Sequence, residues 1–248
     1  MISKEKSAVF FSKKIPIWWK RSLIRLTRFV EGVFPVIYLG VPLISGRLTI
    51  RSLEPLVQKI KKEGGWVEVK AALARWSSNS LRHVLTCMVT HLLVVLDIPK
   101  AVHKNMNSIL STFFWGEING KPKVKWCSWS KLCKPTSEGG LGVCDFGEVQ
   151  KSLHMKFAWR LMTLDNLWTK FFRAKYVKQG HISMVVPKDS SSRFWKSVMW
   201  VLPQVTENVQ LKVKNGKGSF WFDNWLASGP LCLQFNNIQN PLLNIKDV

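Results

Sequence analysis

Apolar residues recur at helical spacing in three stretches between residues 49 and 116, and this pattern predicts three amphipathic helices. The first stretch ends at Gly64-Gly65, and the second covers about Asn79 to Leu96. The third begins after Pro99 and ends before Gly116. Because both connections are short, we expect antiparallel neighbours. The predicted core-facing positions of the first and third helices are Leu53, Leu56, Val57, Ile60, Val102, Met106, Ile109 and Phe113.

Three further helices are predicted in the second half of the chain. They span about Phe146 to Leu164, Leu167 to Val177 and Ser190 to Trp200. The expected core-facing positions of the first of them are Val149, Leu153, Phe157 and Leu161.

Extended structure is predicted near the N-terminus and in the middle of the chain. The AVFFS segment (Ala8 to Ser12) is short and aromatic, as strands often are. The FPVIYLGVP segment (Phe34 to Pro42) has Pro near both ends, which favours an edge strand over a helix. Residues 117–144 show no clean period and are predicted to be loop with short extended pieces.

A β-hairpin is predicted close to the C-terminus. The alternating segment Gln210 to Lys214 and the apolar segment Ser219 to Phe222 flank Asn215-Gly216, a dipeptide typical of two-residue hairpin turns. The residues from Gln234 onward have little pattern and are predicted to be frayed. The predicted fold class is therefore α+β, mainly α.

Positive charge is the strongest signal in the composition. The chain has 37 Lys and Arg against 15 Asp and Glu, a formal net charge of +22 and a pI near 10.1. Such a field attracts polyanions, and nucleic-acid phosphates are the polyanion that a basic protein most often binds. Two alternatives stay open at this stage: an acidic membrane surface, or cations that only solvate the surface.

The residues that would support metal or nucleophilic chemistry are scattered. The five cysteines form no C-x-x-C pair, and the five histidines lie at no familiar ligand spacing. The six aspartates include no Asp-Asp or Asp-x-Asp, although a polymerase needs closely spaced carboxylates for two metal ions. We therefore expect no catalytic residues, no metal, no cofactor and no small-molecule substrate.

The sequence contains no pattern expected for secretion or for insertion in a membrane. The N-terminal segment lacks a signal-peptide apolar core, and the apolar stretch Val84 to Ile98 is too short to span a bilayer. We expect an intracellular protein that does not bind membranes.

Two glycine-containing segments and the tryptophans could contact nucleic acid. Lys214 to Gly218 and Gly139 to Gly142 have glycines suited to phosphate binding, but neither has the P-loop spacing, and turn geometry explains both. Indoles beside cations can stack on unpaired bases, whereas most tryptophans are simply buried. The indoles close to Lys or Arg in sequence are Trp115, Trp126, Trp129, Trp159, Trp195, Trp221 and Trp225.

Taken in order, seven segments resemble plant LINE-type reverse transcriptases, the polymerases of non-LTR retrotransposons. The most specific likeness is FPVIYLGVPLISGR (Phe34 to Arg47), which is similar to the motif at the border of palm and thumb in that family. The other six are KEKSAVFFS from Lys4, VLDIPKAVHKNMNSILSTFFWG from Val95, KVKWCSWSKLCKPTSEGGLGVCDF from Lys123, KFAWRL from Lys156, LWTKFFRAKY from Leu167 and VKNGKGSFWFDNWLASGPL from Val213.

The resemblance implies four regions. These are a palm remnant with the palm–thumb border (1–47), a thumb-like helical bundle (48–116), a Trp-rich helical connection (117–203) and a β-hairpin with a frayed C-terminus (204–248). In the family, the metal-binding aspartates precede the segment at which this chain begins, so the resemblance implies a fragment without polymerase chemistry. The segment Gly65 to Leu85 departs from the family pattern.

Thumb helices of polymerases lie against the template-primer duplex, so the resemblance implies sequence-independent contacts with RNA or an RNA–DNA hybrid. The alternatives are an inert product or a thumb that acts together with a separate palm. The candidate contact residues are Lys6, Arg47, Arg51, Lys59, Lys61, Lys62, Lys123 and Lys125.

Overall fold

The computed structural model describes residues 3, 7–12, 14–38, 41–44, 46, 48–55, 57–58, 62, 86–118, 121–143, 145–226, 228–235 and 237–248. The chain forms two compact units, Met1–Val143 and Cys144–Val248. Helices predominate and the strands are short, which confirms the mainly α, α+β fold class. The finer division into four regions stays a prediction.

The N-terminal segment of the first unit is a short β-α-β arrangement. Strands β1 (Ala8–Val9) and β2 (Val30–Glu31) pair in parallel, and helix α1 (Ile17–Thr27) connects them. The strand expected in AVFFS is thus confirmed in its first two residues. Helix α1 was not predicted; it begins after Pro16 and ends where Arg28 adopts a left-handed conformation and donates its N–H to the Ile24 carbonyl.

The FPVIYLGVP segment is extended, as predicted. Strands β3 (Val36–Tyr38) and β4 (Val41–Leu43) pair antiparallel, with Val36 opposite Leu43 and Tyr38 opposite Val41. Among these strand residues Val41 is buried, so the hairpin rests on the first unit through that end.

The predicted helices between residues 49 and 116 are found wherever the structure describes them. A 3-10 turn covers Arg51–Leu53 and leads into helical residues near Val57. Helices α2 (Thr86–Val95) and α3 (Lys100–Trp115) follow, whereas Leu56, Ile60 and residues 79–85 lie outside the described residues. The buried apolar residues of these helices and their connections are Leu53, Val57, Leu92, Leu93, Ile98, Val102, Met106 and Leu110.

The core-facing stripe of α3 is rotated from the prediction. Leu110 is fully buried, whereas the expected Ile109 is only partly buried. Val102, Met106 and Leu110 are four residues apart, and the polar residues His103 and Ser111 are buried beside this row. The side chain of Phe113, the last expected position, lies outside the described part of the chain.

Residues 117–118 and 121–143 form loop with short elements, as predicted. They comprise strands β5 (Glu117–Ile118) and β6 (Lys121–Pro122), helix α4 (Trp129–Leu132) and a 3-10 turn at Thr136–Glu138. Gly140 lies so close to the Lys134 carbonyl that a Cβ there would overlap it, and the Gly142 N–H donates to the same carbonyl at 2.9 Å. The glycines after this turn therefore serve backbone packing, which is the turn explanation.

The second unit consists mainly of three helices. They are α5 (Phe146–Thr163), α6 (Leu167–Phe172), extended by a π-helical turn at Arg173–Val177, and α7 (Arg193–Asn208). Their existence confirms the three predictions. Helix α7 continues eight residues beyond the predicted end at Trp200 and contains Pro203.

Two details of these helices differ from the prediction for physical reasons. Proline removes one helical hydrogen bond, but burial of Val201, Leu202 and Val205 around Pro203 offsets that cost.

In α5, Leu161 is buried as expected, while Val149, Leu153 and Phe157 are only partly buried. The other buried residues of the helix are Phe146, Gln150, His154 and Ala158. Because Gln150 and His154 are polar, the pattern of apolar residues in the sequence does not show this buried face.

The predicted C-terminal hairpin was wrong. Between Gln210 and Phe222, all described, the only β-bridge joins Ser219 to Asn244, so the segment after Asn215-Gly216 pairs with the end of the chain. Three backbone bonds make this pairing: Phe220 N–H to Leu243 O at 2.9 Å, Ile245 N–H to Gly218 O at 3.0 Å and Lys246 N–H to Gly216 O at 3.0 Å. The expected fraying of the last residues was therefore also wrong.

An aromatic cluster forms the centre of the second unit. The Trp195 indole is 1% exposed and lies parallel to the Tyr176 ring, with centroids 4.4 Å apart. Phe172 stacks on the same indole at 6.0 Å, and Phe194 meets Phe172 edge-on at 5.8 Å. Stacked and edge-to-face rings add to the stability that burial supplies.

Trp195→Ala is expected to lower the free energy of unfolding by about 3–5 kcal/mol, because it leaves a cavity inside the aromatic cluster. The smaller change Trp195→Phe should cost less, since the buried Trp195 Nε1 has no hydrogen-bond partner among the described residues. Urea denaturation measures both. Trp200→Ala on the same helix is the control, because that side chain is 67% exposed; equal losses for Trp195→Ala and Trp200→Ala would contradict the packing.

Candidate nucleic-acid interface

Half of the predicted contact residues can be located. Arg51, Lys62, Lys123 and Lys125 are all exposed on the first unit. The other four, Lys6, Arg47, Lys59 and Lys61, lie outside the described residues. All eight assignments stay predictions.

Lys123 and Lys125 belong to an exposed segment that ends in Trp126. The Trp126 side chain is 85% exposed and Val124 is 76% exposed, so the segment projects an indole beside two cations. The Lys123 N–H donates to the Gly116 carbonyl at 3.0 Å and thereby fixes the segment against the end of α3. This arrangement suits stacking on a base next to phosphate contacts.

Helix α1 presents a second surface of the same kind, which the pattern analysis missed. From Lys14 to Arg28 the sequence has five Lys or Arg and no Asp or Glu. No residue of α1 is buried: Trp18 is 69% exposed, Trp19 is 51% exposed, and Arg21 and Arg25 are exposed as well. The signal available in the sequence was the WWKR run with Arg25 following four residues after Arg21.

Helical spacing places Trp18, Arg21 and Arg25 on one side of α1. Residues three and four apart are neighbours on a helix, with Cβ atoms about 5–6 Å apart. On the other side, Lys20 forms an ion pair with Glu31 at 3.3 Å and lies 5.5 Å from the Phe11 ring centroid. Among the described residues, neither Arg21 nor Arg25 has an acidic partner, so both guanidinium groups are open to phosphate.

Positive charge is concentrated in the first unit. Residues 1–143 contain 23 Lys and Arg against 8 Asp and Glu, whereas residues 144–248 contain 14 against 7. The basic–aromatic surface of α1 therefore lies in the more strongly cationic part of the chain. Long-range attraction of a polyanion is expected to act mainly on that unit.

The second unit contains a partly buried His–Asp pair in which both imidazole nitrogens and both carboxylate oxygens have hydrogen-bond partners. His181 Nε2 lies 3.2 Å from Asp223 Oδ1, and His181 Nδ1 accepts the Ser183 N–H at 3.2 Å. Asp223 Oδ2 accepts the Ser219 N–H at 2.7 Å. Since both imidazole nitrogens and both carboxylate oxygens are engaged, the pair has no free position from which to activate a nucleophile.

The electrostatics of this pair favour an ionised carboxylate. Burial alone would raise the pKa of Asp223, but the hydrogen bond and charge of His181 and the Ser219 N–H more than offset it. The pKa of Asp223 therefore lies below its ordinary value.

Other reactive groups do not assemble into a centre within the described residues. No group of three or more His, Cys, Asp and Glu side chains in that part of the chain could hold a metal ion. Burial raises the pKa of the Cys232 thiol, which disfavours the thiolate. No described helix is long and apolar enough to cross a membrane.

Two Arabidopsis thaliana proteins are similar in sequence to this chain. One, named "Putative ribonuclease H protein", is 29% identical over 209 residues, which cover 81% of this chain and 33% of that protein. The other, named "Uncharacterized mitochondrial protein", is 24% identical over 132 residues, which cover 52% of this chain and 86% of that protein. The chain thus spans about a third of the length of the first relative. No protein-family model matches the chain.

Asp223→Asn is expected to reduce the acid sensitivity of folding. Because the folded pKa of Asp223 is depressed, its stabilising contribution is complete above the unfolded pKa of about 3.9 and is lost as pH falls through the folded value. The wild-type melting temperature should fall as the pH is lowered below about 5, and the variant should show a shallower fall.

At neutral pH, Asp223→Asn should cost about 1–3 kcal/mol, because a charge-assisted hydrogen bond is weakened. Thermal unfolding followed by circular dichroism measures both effects. Asp165→Asn is the control, since that carboxylate is 70% exposed and paired only with Lys170. Equal pH slopes for wild type and Asp223→Asn would contradict the role of the pair.

Proposed function

We propose that this chain is the nucleic-acid-holding part of a retrotransposon-derived protein of the plant LINE reverse transcriptase type. Its ligand is RNA or an RNA–DNA hybrid, contacted along the phosphates without reading of base sequence. The proposal combines the seven-segment resemblance with the exposed basic–aromatic surfaces of the first unit.

The observation that carries the proposal is the side of α1 formed by Trp18, Arg21 and Arg25. An exposed apolar indole beside two guanidinium groups, which have no acidic partner among the described residues, is unfavourable as a surface that faces only water, and the two cations suit the phosphates of a polyanion. Arg21 and Arg25 lie one helical turn apart, about 6 Å along the axis, so each can contact a different phosphate.

The first Arabidopsis relative supports the same assignment. Its name indicates a ribonuclease H protein, and this chain matches about a third of its length. We propose that the matched part holds nucleic acid while cleavage belongs to other parts of such a protein. The chain itself is assigned no nuclease activity.

We also propose that these 248 residues do not polymerise DNA on their own. Two-metal catalysis needs closely spaced carboxylates, and the sequence contains no Asp-Asp or Asp-x-Asp. With a primed RNA template, deoxynucleotides and magnesium or manganese, the purified chain is expected to extend no primer. Incorporation of a single deoxynucleotide, absent when the chain is omitted, would overturn this part of the proposal.

Arg21→Gln with Arg25→Gln is expected to weaken binding to an RNA–DNA hybrid about 5- to 20-fold at low salt, because two phosphate contacts are lost. The slope of log K against log salt should become shallower by about 2. Fluorescence anisotropy with a labelled hybrid measures both.

The matched control is Lys100→Gln with Lys104→Gln. These two exposed lysines lie on α3 in the same unit, with the same four-residue spacing and the same loss of charge. The proposal predicts a smaller loss for the control pair. If both pairs weaken binding equally, net charge alone explains the affinity and α1 is not the contact surface.

A further inference from the structure

The second unit has a basic cleft that the proposed function does not use. The cleft has a volume of about 540 Å³ and lies between the end of α5, the end of α7 and the loop from Gln210 to Gly218. Lys212, Lys214 and Lys217 line it together with the Trp159 indole. Its volume falls within the range of about 300–1,000 Å³ that is usual for sites of small ligands.

The loop that carries the lysines is paired with the C-terminal segment at Gly216 and Gly218. Gly216 has φ +68°, and a Cβ at that position would overlap Lys246 of the C-terminal segment. The Gly216 and Gly218 carbonyls accept the Lys246 and Ile245 N–H groups at 3.0 Å each. The wrongly predicted hairpin is thus replaced by a pairing that holds the backbone of the lysine-bearing loop at Gly216 and Gly218. A loop backbone held in this way loses less conformational freedom when the loop binds an anion.

The charges in the cleft are not neutralised internally. Within the described part of the chain none of the three ammonium groups has an acidic partner. Asp223 also lines the cleft and hydrogen-bonds His181 and the Ser219 N–H, so three cations face one carboxylate there. The cleft therefore retains a local excess of positive charge, which suits phosphate groups.

Trp159 supplies a different kind of contact. Its side chain is 43% exposed on α5, and the described residues include no aromatic ring or cation stacked on it. An indole face beside cations can stack on a base, but a base is available for stacking only where it is unpaired.

We propose that this cleft binds an unpaired segment of RNA or DNA, with phosphates at Lys212, Lys214 and Lys217 and a base stacked on Trp159. The site is distinct from the surface of α1. This inference rests on the proposed function in one respect, because both assume that the ligand is a nucleic acid. It would let the chain hold a single-stranded end while the first unit contacts a duplex.

The test is fluorescence anisotropy of the full chain with two labelled probes. One is a single-stranded oligouridine of about 12 nucleotides, and the other is an RNA–DNA hybrid duplex without overhangs. Trp159→Ala is expected to weaken oligouridine binding about 10-fold without changing the salt slope, because stacking releases no counterions. Hybrid binding should change less than about 2-fold, since the hybrid's bases are already paired.

The triple change Lys212→Gln, Lys214→Gln and Lys217→Gln should weaken oligouridine binding at least about 10-fold and reduce its salt slope by about 2. Two matched controls lie in the same unit. Trp200→Ala removes another exposed indole, and the triple change Lys151→Gln, Lys170→Gln and Lys188→Gln removes the same charge outside the cleft. Trp159→Phe should restore most of the binding.

The inference would be overturned if Trp159→Ala bound oligouridine as tightly as wild type, or if the two lysine triples lost equal affinity. The proposed function would remain intact in that case if hybrid binding still depended on Arg21 and Arg25. If Trp159→Ala weakens oligouridine binding while substitution of Arg21 and Arg25 leaves hybrid affinity unchanged, the cleft is supported and the proposed function is contradicted. Binding of neither probe by wild type would overturn both. Circular dichroism verifies that each variant is folded.

Discussion

The chain has more positive charge than its own acidic side chains can neutralise. The placement of its exposed cations and their proposed contacts with nucleic acid depend on this constraint. With 37 cationic against 15 acidic side chains, most lysines and arginines have no acidic partner to pair with. Such a chain minimises self-repulsion by keeping its cations at the surface, and it gains further stability when a polyanion binds. The exposed side of α1, the Lys123–Trp126 segment and the cleft around Lys214 are three local results of this imbalance.

Packing of apolar side chains determines the positions of those cations on the surface. In the second unit the cluster around Trp195 fixes α5, α6 and α7, and the His181–Asp223 pair connects the segment after α6 with the segment after α7. The C-terminal residues then fix the loop that carries Lys212, Lys214 and Lys217. A buried framework of this kind holds surface cations in place even though like charges repel one another.

Local patterns anticipated the helices, but contacts between distant segments did not appear in the sequence. Periodicity located α3 and α5, yet the buried polar residues Gln150 and His154 hid the true face of α5. Asn215-Gly216 is a strong local turn signal, but Ser219 pairs with the distant residue Asn244, and the predicted hairpin does not form. The surface of α1 escaped detection because its exposed Trp18 and Trp19 resemble core residues in sequence.

The measurement that tests the account most directly is the affinity for an RNA–DNA hybrid as a function of salt concentration. If phosphates neutralise the exposed cations, log K falls linearly with log salt, with a slope of about −0.9 for each phosphate contacted. The account predicts a slope of about −4 or steeper, from at least four contacts. Tight binding that is unchanged between low and high salt would contradict it.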